Sequence, residues 1–245
     1  MITETLYDDG TRSWRFIGRK SGRDPRAADP NEYLVVDGSS GLVLHPGGGE
    51  RFANVIGAVS RIIATDRLVA LFASRQDPEV LSALSRWAKV CPGARVFVPR
   101  AWETFTAFFG IAAGFELIPD EGGPFPLGAS TDLRFVPAHY LHSPANFSVY
   151  DPVARILFTG DIGSAPLPPE QDVFVQDFDR HIGSMEGFHR RWMPSEAARD
   201  RWLERVRGLH VDLLCPHHGP VFVGHDVDRF FEWFSGLELG GAIAV

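Results

Sequence analysis

The chain has 245 residues, 44% of them hydrophobic and 22% charged, enough for a sizeable core in one large domain or two small ones. Its net charge of −7 argues against nucleic-acid and anionic-membrane partners, both of which need a basic face. The two cysteines, Cys91 and Cys215, lie far apart without metal-type spacing, which argues against a disulfide framework and fits a reducing compartment.

The opening MITETLYDDGTRSW has neither a basic start nor an apolar stretch, so no signal peptide is expected. No apolar run reaches membrane-spanning length, and the expectation is a soluble cytoplasmic protein. Residues 11 to 50 read as β-rich. Trp14 to Ile17, Glu32 to Val36 and Leu42 to Leu44 are short β-prone runs, punctuated by Asp37-Gly38 and Pro46-Gly47-Gly48-Gly49. Phe52 to Ala64 carries Val55, Ile56, Val59, Ile62 and Ile63 at helical spacing. Leu68 to Phe72 is too short and β-prone for a helix and predicts a buried strand, with a helix following from Glu79 to about Val90. Val96 to Pro99 predicts another strand. Trp102 to Phe109 predicts an aromatic helix whose stripe of Trp102, Phe105, Phe108 and Phe109 faces the core. Beyond the glycine- and proline-rich Glu121 to Gly128, strands are expected at Leu133 to Pro137, Asn146 to Tyr150 and Arg155 to Thr159. Pro166 to Pro194 is aromatic, contains prolines and gives no clear assignment. Ser195 to Arg207 predicts a helix capped by Ser195, Leu213 to Cys215 a strand, and Val227 to Phe234 a last helix. Neither a linker nor a short repeat is visible. Two β-rich halves with helices predict one α+β domain over residues 1–245, an αββα sandwich of two mixed sheets flanked by helices. A doubly wound parallel sheet would need stricter alternation.

The residues able to do chemistry lie at predicted strand ends. Asp77 and Glu79 occupy a strand-to-helix loop around Pro78, which suits the first turn of a helix. Asp77 can cap that helix and Glu79 can favour its dipole, or a cation can neutralise the pair. His139 and His142 follow the strand ending at Pro137, Asp161 follows Thr159-Gly160, and His217 and His218 sit in the turn Cys215 to Pro220. One such residue alone reads as a turn or a cap. Four such sites, all carboxylate or imidazole, can converge on one sheet edge and build a single site.

Thr159-Gly160-Asp161 and His217-His218-Gly219-Pro220, preceded by Asn31 to Val36 and His45-Pro46-Gly47, resemble the metallo-β-lactamase superfamily over nearly the whole chain. Where its hydrolases usually carry HxHxDH, this chain has Arg75-Gln76-Asp77-Pro78-Glu79-Val80. The two carboxylates resemble the HxExDH pattern of flavodiiron proteins. AHYLHSPANFSVYDP and MEGFHRRW resemble the stand-alone oxygen-binding diiron proteins. The resemblance implies Asp77, His139 and Asp161 as ligands of one iron and Glu79, Asp161 and His218 as ligands of another, with Asp161 bridging. It departs at Arg75, which stands for the family's first histidine, and at Val80, which stands for another. Arginine has no lone pair for a metal. Pointing inward, Arg75 can pair with Asp77 and replace the first iron's charge; pointing outward, it leaves a thin shell that His142 can enter. One iron, two or none are the alternatives this leaves. Carboxylate-rich donors suit iron or manganese, whereas affinity order alone favours zinc.

The resemblance implies a non-haem iron protein that binds O2, or reduces O2 or NO. Reduction would require an external flavin reductase or another electron donor, because the chain shows no phosphate-cradling glycine loop before a helix. Both an oxidoreductase and a non-catalytic oxygen sensor fit, and a homodimer is expected. The alternatives are a zinc hydrolase of the same fold, acting through a metal-bound hydroxide, and a binding protein that has lost its metal. His217 is expected beside the ligand or as a turn residue. His45, His181, His189, His210 and His225 are expected at the surface or in hydrogen-bonded turns, and Phe174, Phe178, Phe188 and Trp192 as a roof over the metal pocket.

Overall fold

A computed structural model describes residues 1–18, 28, 30–111, 114–127, 130–166 and 172–241. Among these residues two mixed sheets face each other. The first holds, in spatial and chain order, β1 (Ile2–Asp8), β2 (Arg12–Gly18), β3 (Glu32–Asp37), β4 (Ser40–Leu44), β5 (Leu68–Phe72), β6 (Arg95–Pro99) and β7 (Phe115–Ile118). The second comprises β8 (Gly123–Leu127), β9 (Ser130–Pro137), β10 (Phe147–Asp151), β11 (Ile156–Gly160), β12 (Leu213–Pro216) and β13 (Phe222–Val223), arranged from β13 through to β8. Neighbours from β4 to β7 pair in parallel, as do β11 and β12.

The alternation of strand side chains decides the layers. Trp14, Phe16, Leu42, Leu44, Ala70 and Phe72 point inward and meet Phe125, Phe135, Phe147 and Phe158 of the other sheet. Ile17, Val43 and Leu71, one residue out of phase, point outward under α1 (Phe52–Val59), α2 (Pro78–Leu81) and α3 (Leu84–Val90). The second sheet's outer face is covered by α4 (Phe178–Trp192), α5 (Glu196–Val206) and α6 (His225–Gly236) through Met185, Trp202, Phe230 and Phe234. This is the expected αββα sandwich. Among the described residues, no helix is long and apolar enough to cross a membrane.

Several elements differ from the sequence expectation. The helix foreseen from Glu79 to Val90 breaks into α2 and α3, because Ser82 and Ala83 turn aside to bond Gly49 N–H and the Gly47 carbonyl. Arg100–Phe109 winds as a 3₁₀ helix instead of an α-helix. At roughly 2.0 Å rise per residue, its aromatic row runs away from the core. Trp102 is buried and Phe109 packs half-buried against the core, but Phe105 is 50% and Phe108 83% exposed, so only part of the stripe is core. Within the unassigned stretch 166–194, residues 167–171 lie outside the described residues, while Phe178–Trp192 forms the long helix α4. Gly183 and Gly187 dilute its helical signal. Asp177 caps it by accepting from Arg180 N–H.

The sheets are tied at the edge where β2 begins and β10 ends. Buried Arg12 donates to Asp151 at 2.9 Å, Trp14 donates to the other Asp151 oxygen at 2.7 Å, and the Val153 and Ala154 amides also donate to Asp151. Asp151→Ala removes every one of these acceptors and strips Arg12 of a buried counter-charge, so it should cost about 3–5 kcal/mol in urea unfolding. A second internal group makes stability depend on pH. His189 of α4 donates from Nδ1 to the Met185 carbonyl and accepts at Nε2 from Gly163 N–H. Burial lowers its pKa from 6.5 to about 4. The unfolded chain therefore takes up this proton first, and the stability is full above about pH 6.5 and is lost progressively down to about pH 4. The loss should approach ~3 kcal/mol, and His189→Gln should flatten that part of the stability-versus-pH slope in chemical denaturation.

Candidate metal centre

The carboxyl ends of β4, β5, β9, β11 and β12 meet at the opposite edge, and their loops supply the polar groups. Gly160 ends β11 with φ +62, a left-handed turn that glycine adopts at little cost. That turn swings Asp161 into the interior, where it is fully buried. Thr159 Oγ1 donates to the Ile162 carbonyl and Ser164 N–H to the Asp161 carbonyl, which fixes the turn. The His217-His218 turn is held from the first sheet. Asn31 Nδ2 donates to the Pro216 and Gly219 carbonyls, Tyr33 Oη donates to the Pro216 carbonyl, and Asn31 N–H to the His217 carbonyl.

Arg75 points inward and lies 1% exposed. Its guanidinium reaches three carboxylates: Nε to Asp77 at 2.5 Å, Nη2 to Glu79 at 3.0 Å, and Nη1 to Asp161 at 2.9 Å. Burial pulls the Arg75 pKa down, but the three carboxylates more than offset this and hold it above its ordinary value. Burial pushes the Asp161 pKa up, and Arg75 works against that rise. One guanidinium against three carboxylates leaves the cluster formally two charges negative.

Beside this cluster, one donor atom each from Glu79, His217 and His218 lies within 4.8 Å of the other two. Two metal–ligand bonds of roughly 2.0–2.2 Å each nearly span such a gap, so these residues fit one metal ion. His217 Nε2 is buried and has no hydrogen-bond partner. Its Nδ1 lies 2.7 Å from His45 Nδ1, and His45 Nε2 lies 2.7 Å from Ser74 Oγ. Burial holds both imidazoles well below their ordinary pKa, so both are neutral and a single proton sits between the two Nδ1 atoms. With that proton on His217, its Nε2 presents a lone pair to the site; with it on His45, His45 Nε2 accepts from Ser74 N–H at 3.4 Å.

Four of the residues expected as ligands, Asp77, Glu79, Asp161 and His218, therefore lie in or beside one cluster. His139 does not join it: its Nε2 bonds the Asp120 carbonyl at 2.8 Å and its ring packs edge-on to Phe147. The imidazole that the loop turns inward is His142, with Nδ1 3.6 Å from Asp161 and 3.9 Å from Asp77. The reason is the backbone. Tyr140 and His142 both adopt positive φ, +61 and +88, and Asn146 holds the Leu141 carbonyl, so the turn reverses which histidine faces in. His45, expected at the surface or in a turn, and His217, expected beside the ligand or in a turn, both lie buried in the site; His45 stands at the end of β4, the same strand-end signal that marked the others. Phe188 and Trp192 stack on His142 at 6.1 and 4.9 Å and form part of the foreseen roof, but Phe178 packs on Phe222 and under Arg229.

The chain is 34% identical to the chemotaxis sensor ODP from T. denticola in its apo state, with a TM-score of 0.89 over 98% of this chain and 96% of that one. It is 33% identical to a chemotaxis sensor ODP solved as a peroxy diiron species, with a TM-score of 0.87 over 98% and 97% of the two chains. A flavo di-iron protein mutant from Thermotoga maritima shares the fold at 20% identity and a TM-score of 0.80, covering 96% of this chain and 61% of that one. An uncharacterized protein of Methanocaldococcus jannaschii, MJ0732, is 20% identical over 253 residues; the match takes in 100% of this chain but only 63% of that protein's length. A family model described as ODP family beta lactamase matches residues 28–219. With the Thr159-Gly160-Asp161 and His217-His218-Gly219-Pro220 turns lying inside that match and the sandwich built around them, the chain belongs to the ODP family of the metallo-β-lactamase fold.

Proposed function

We propose that this protein is a non-haem iron protein that binds O2 as a sensor, with the metal held by Glu79, His217 and His218 beside Asp161. The observation that carries the reading is the convergence of one half-buried carboxylate and two buried imidazoles at a strand-end edge. Its support from relatives is the likeness to chemotaxis sensor ODP, which extends over nearly the full length of both chains. The flavo di-iron likeness extends over 61% of the longer protein, and reduction of O2 or NO with an external electron donor is the related activity it would suggest.

Iron bound there would supply reversible binding of a small diatomic ligand. The protein's own residues do the rest. His45 and Ser74 orient His217 and set its tautomer. Asn31 and Tyr33 hold the backbone of the His217-His218 turn, so its imidazoles are placed before any metal arrives. Arg75 neutralises part of the carboxylate charge. Phe188 and Trp192, stacked over His142, give the rim an apolar cover that admits a small uncharged ligand more readily than a charged one. Mixed carboxylate and imidazole donors without thiolate favour iron or manganese over a structural zinc.

Protein purified without oxygen should contain iron and should develop a new visible absorption band on exposure to air. His45→Ala should lower iron affinity roughly 10–100-fold while the circular dichroism spectrum stays unchanged. Zinc in place of iron, with metal-dependent hydrolysis of an ester or lactone, would overturn the reading in favour of a hydrolase. The same reading includes a homodimer, for which light scattering should return twice the chain mass.

A further inference from the structure

The similar sensor was solved as a peroxy diiron species and the Thermotoga maritima protein is a flavo di-iron protein, whereas the residues here do not fit two ions. We infer that the Arg75 guanidinium permanently takes the place of one metal cation among Asp77, Glu79 and Asp161, so that this chain binds a single metal ion, at Glu79, His217 and His218. The inference rests on the metal-binding reading above and specifies how many ions that site accepts.

Three observations carry it. First, the guanidinium spends each of its three nitrogens on a different carboxylate, with Asp77 and Asp161 within 2.9 Å and Glu79 at 3.0 Å. Asp77 and Glu79 accept hydrogen bonds from it and Asp161 is ion-paired with it, so a second dication would have to compete with the guanidinium for all three carboxylates. Arginine cannot lose its proton in a protein, so this competition does not relax with pH. Second, the charges close with one ion. The cluster of Arg75 with its three carboxylates is formally two charges negative, which one divalent cation beside it balances. A second dication would leave two uncompensated positive charges against the buried Arg75 guanidinium, which is unfavourable.

Third, the remaining donors of the first position are still present and aimed. His142 holds φ +88, which a non-glycine residue adopts at a cost, and its buried Nδ1 has no hydrogen-bond partner while facing Asp161 at 3.6 Å and Asp77 at 3.9 Å. An imidazole and two carboxylates thus surround a position in which only the fourth group, Arg75, is wrong for a metal. Restoring a neutral donor there should reopen it.

The test is metal content per folded chain, measured after loading with ferrous iron without oxygen and desalting, for the wild type, Arg75→His and Arg75→Lys. The expected result is about one ion in the wild type, about two in Arg75→His, and about one in Arg75→Lys, which keeps a cation but not the fork. Electron paramagnetic resonance of the oxidised proteins gives a second readout, with an isolated ferric signal in the wild type that is lost to pairwise coupling in Arg75→His. Two ions in the wild type would overturn the inference and leave the iron reading standing. A folded Arg75→His protein that still binds one ion would also overturn it. If Arg75→His does not fold, the wild-type and Arg75→Lys counts decide, one ion in both being the supporting result and two in either the opposing one. No metal in the wild type would overturn both the inference and the functional reading, whatever Arg75→His binds.

Discussion

A guanidinium taken out of water keeps its charge, so folding has to surround it with carboxylates or forfeit several kcal/mol. Arg75 imposes this demand at the end of β5, and the answer comes from both sheets. Asp77 and Glu79 lie on the loop that follows the same strand, whereas Asp161 arrives from β11 across the sandwich. The cluster therefore acts as a clamp between the sheets at the functional edge. Arg12, Trp14 and Asp151 form its counterpart at the other edge, and the aromatic core between Phe72 and Phe158 fills the space between the two ends.

That arrangement explains why the candidate metal position can be rigid without a metal to organise it. The turns at this edge are fastened by backbone or buried side-chain bonds: Asn31 and Tyr33 hold the His217-His218 turn, Thr159 and Ser164 hold the turn at Asp161, and Asn146 holds the one at His142. His45 links the strand ends of the first sheet to His217 of the second. A loop carrying a ligand is thus supported by a neighbour that does not ligate, the arrangement on which metal affinity and ligand orientation generally depend.

Relative to a two-metal centre, the difference here is confined to a few positions. Arg75 supplies fixed positive charge where a metal would supply charge together with open coordination positions. Chemistry that needs two adjacent metals has no counterpart in a guanidinium, whereas binding a ligand at one ion does. On the one-ion reading proposed above, this favours binding of a small molecule over its multi-electron reduction.

Much of this architecture was legible in the sequence. Leu42 to Leu44 and Leu68 to Phe72 are buried on both faces, and such strands read as short continuous apolar runs between turn signals. Asp77, Glu79, Asp161 and His218 were visible because they follow strand ends, which a shared sheet edge brings together. What the sequence could not decide was orientation. Whether His139 or His142 faces Asp161 depends on the positive φ values of Tyr140 and His142, which histidine tolerates more readily than tyrosine but which the sequence does not fix. Whether Arg75 points in or out was equally open, since both arms are compatible with its neighbours in the chain. Only the approach of Asp161, 86 positions further on, supplies the buried counter-charge that draws it inward. His45 and His217 became a pair for the same reason: each looks like a turn histidine until the two sheets close and put their Nδ1 atoms 2.7 Å apart. Strand identity is written in local hydrophobic pattern, whereas the direction of a polar side chain at a strand end is set by partners that only tertiary packing provides.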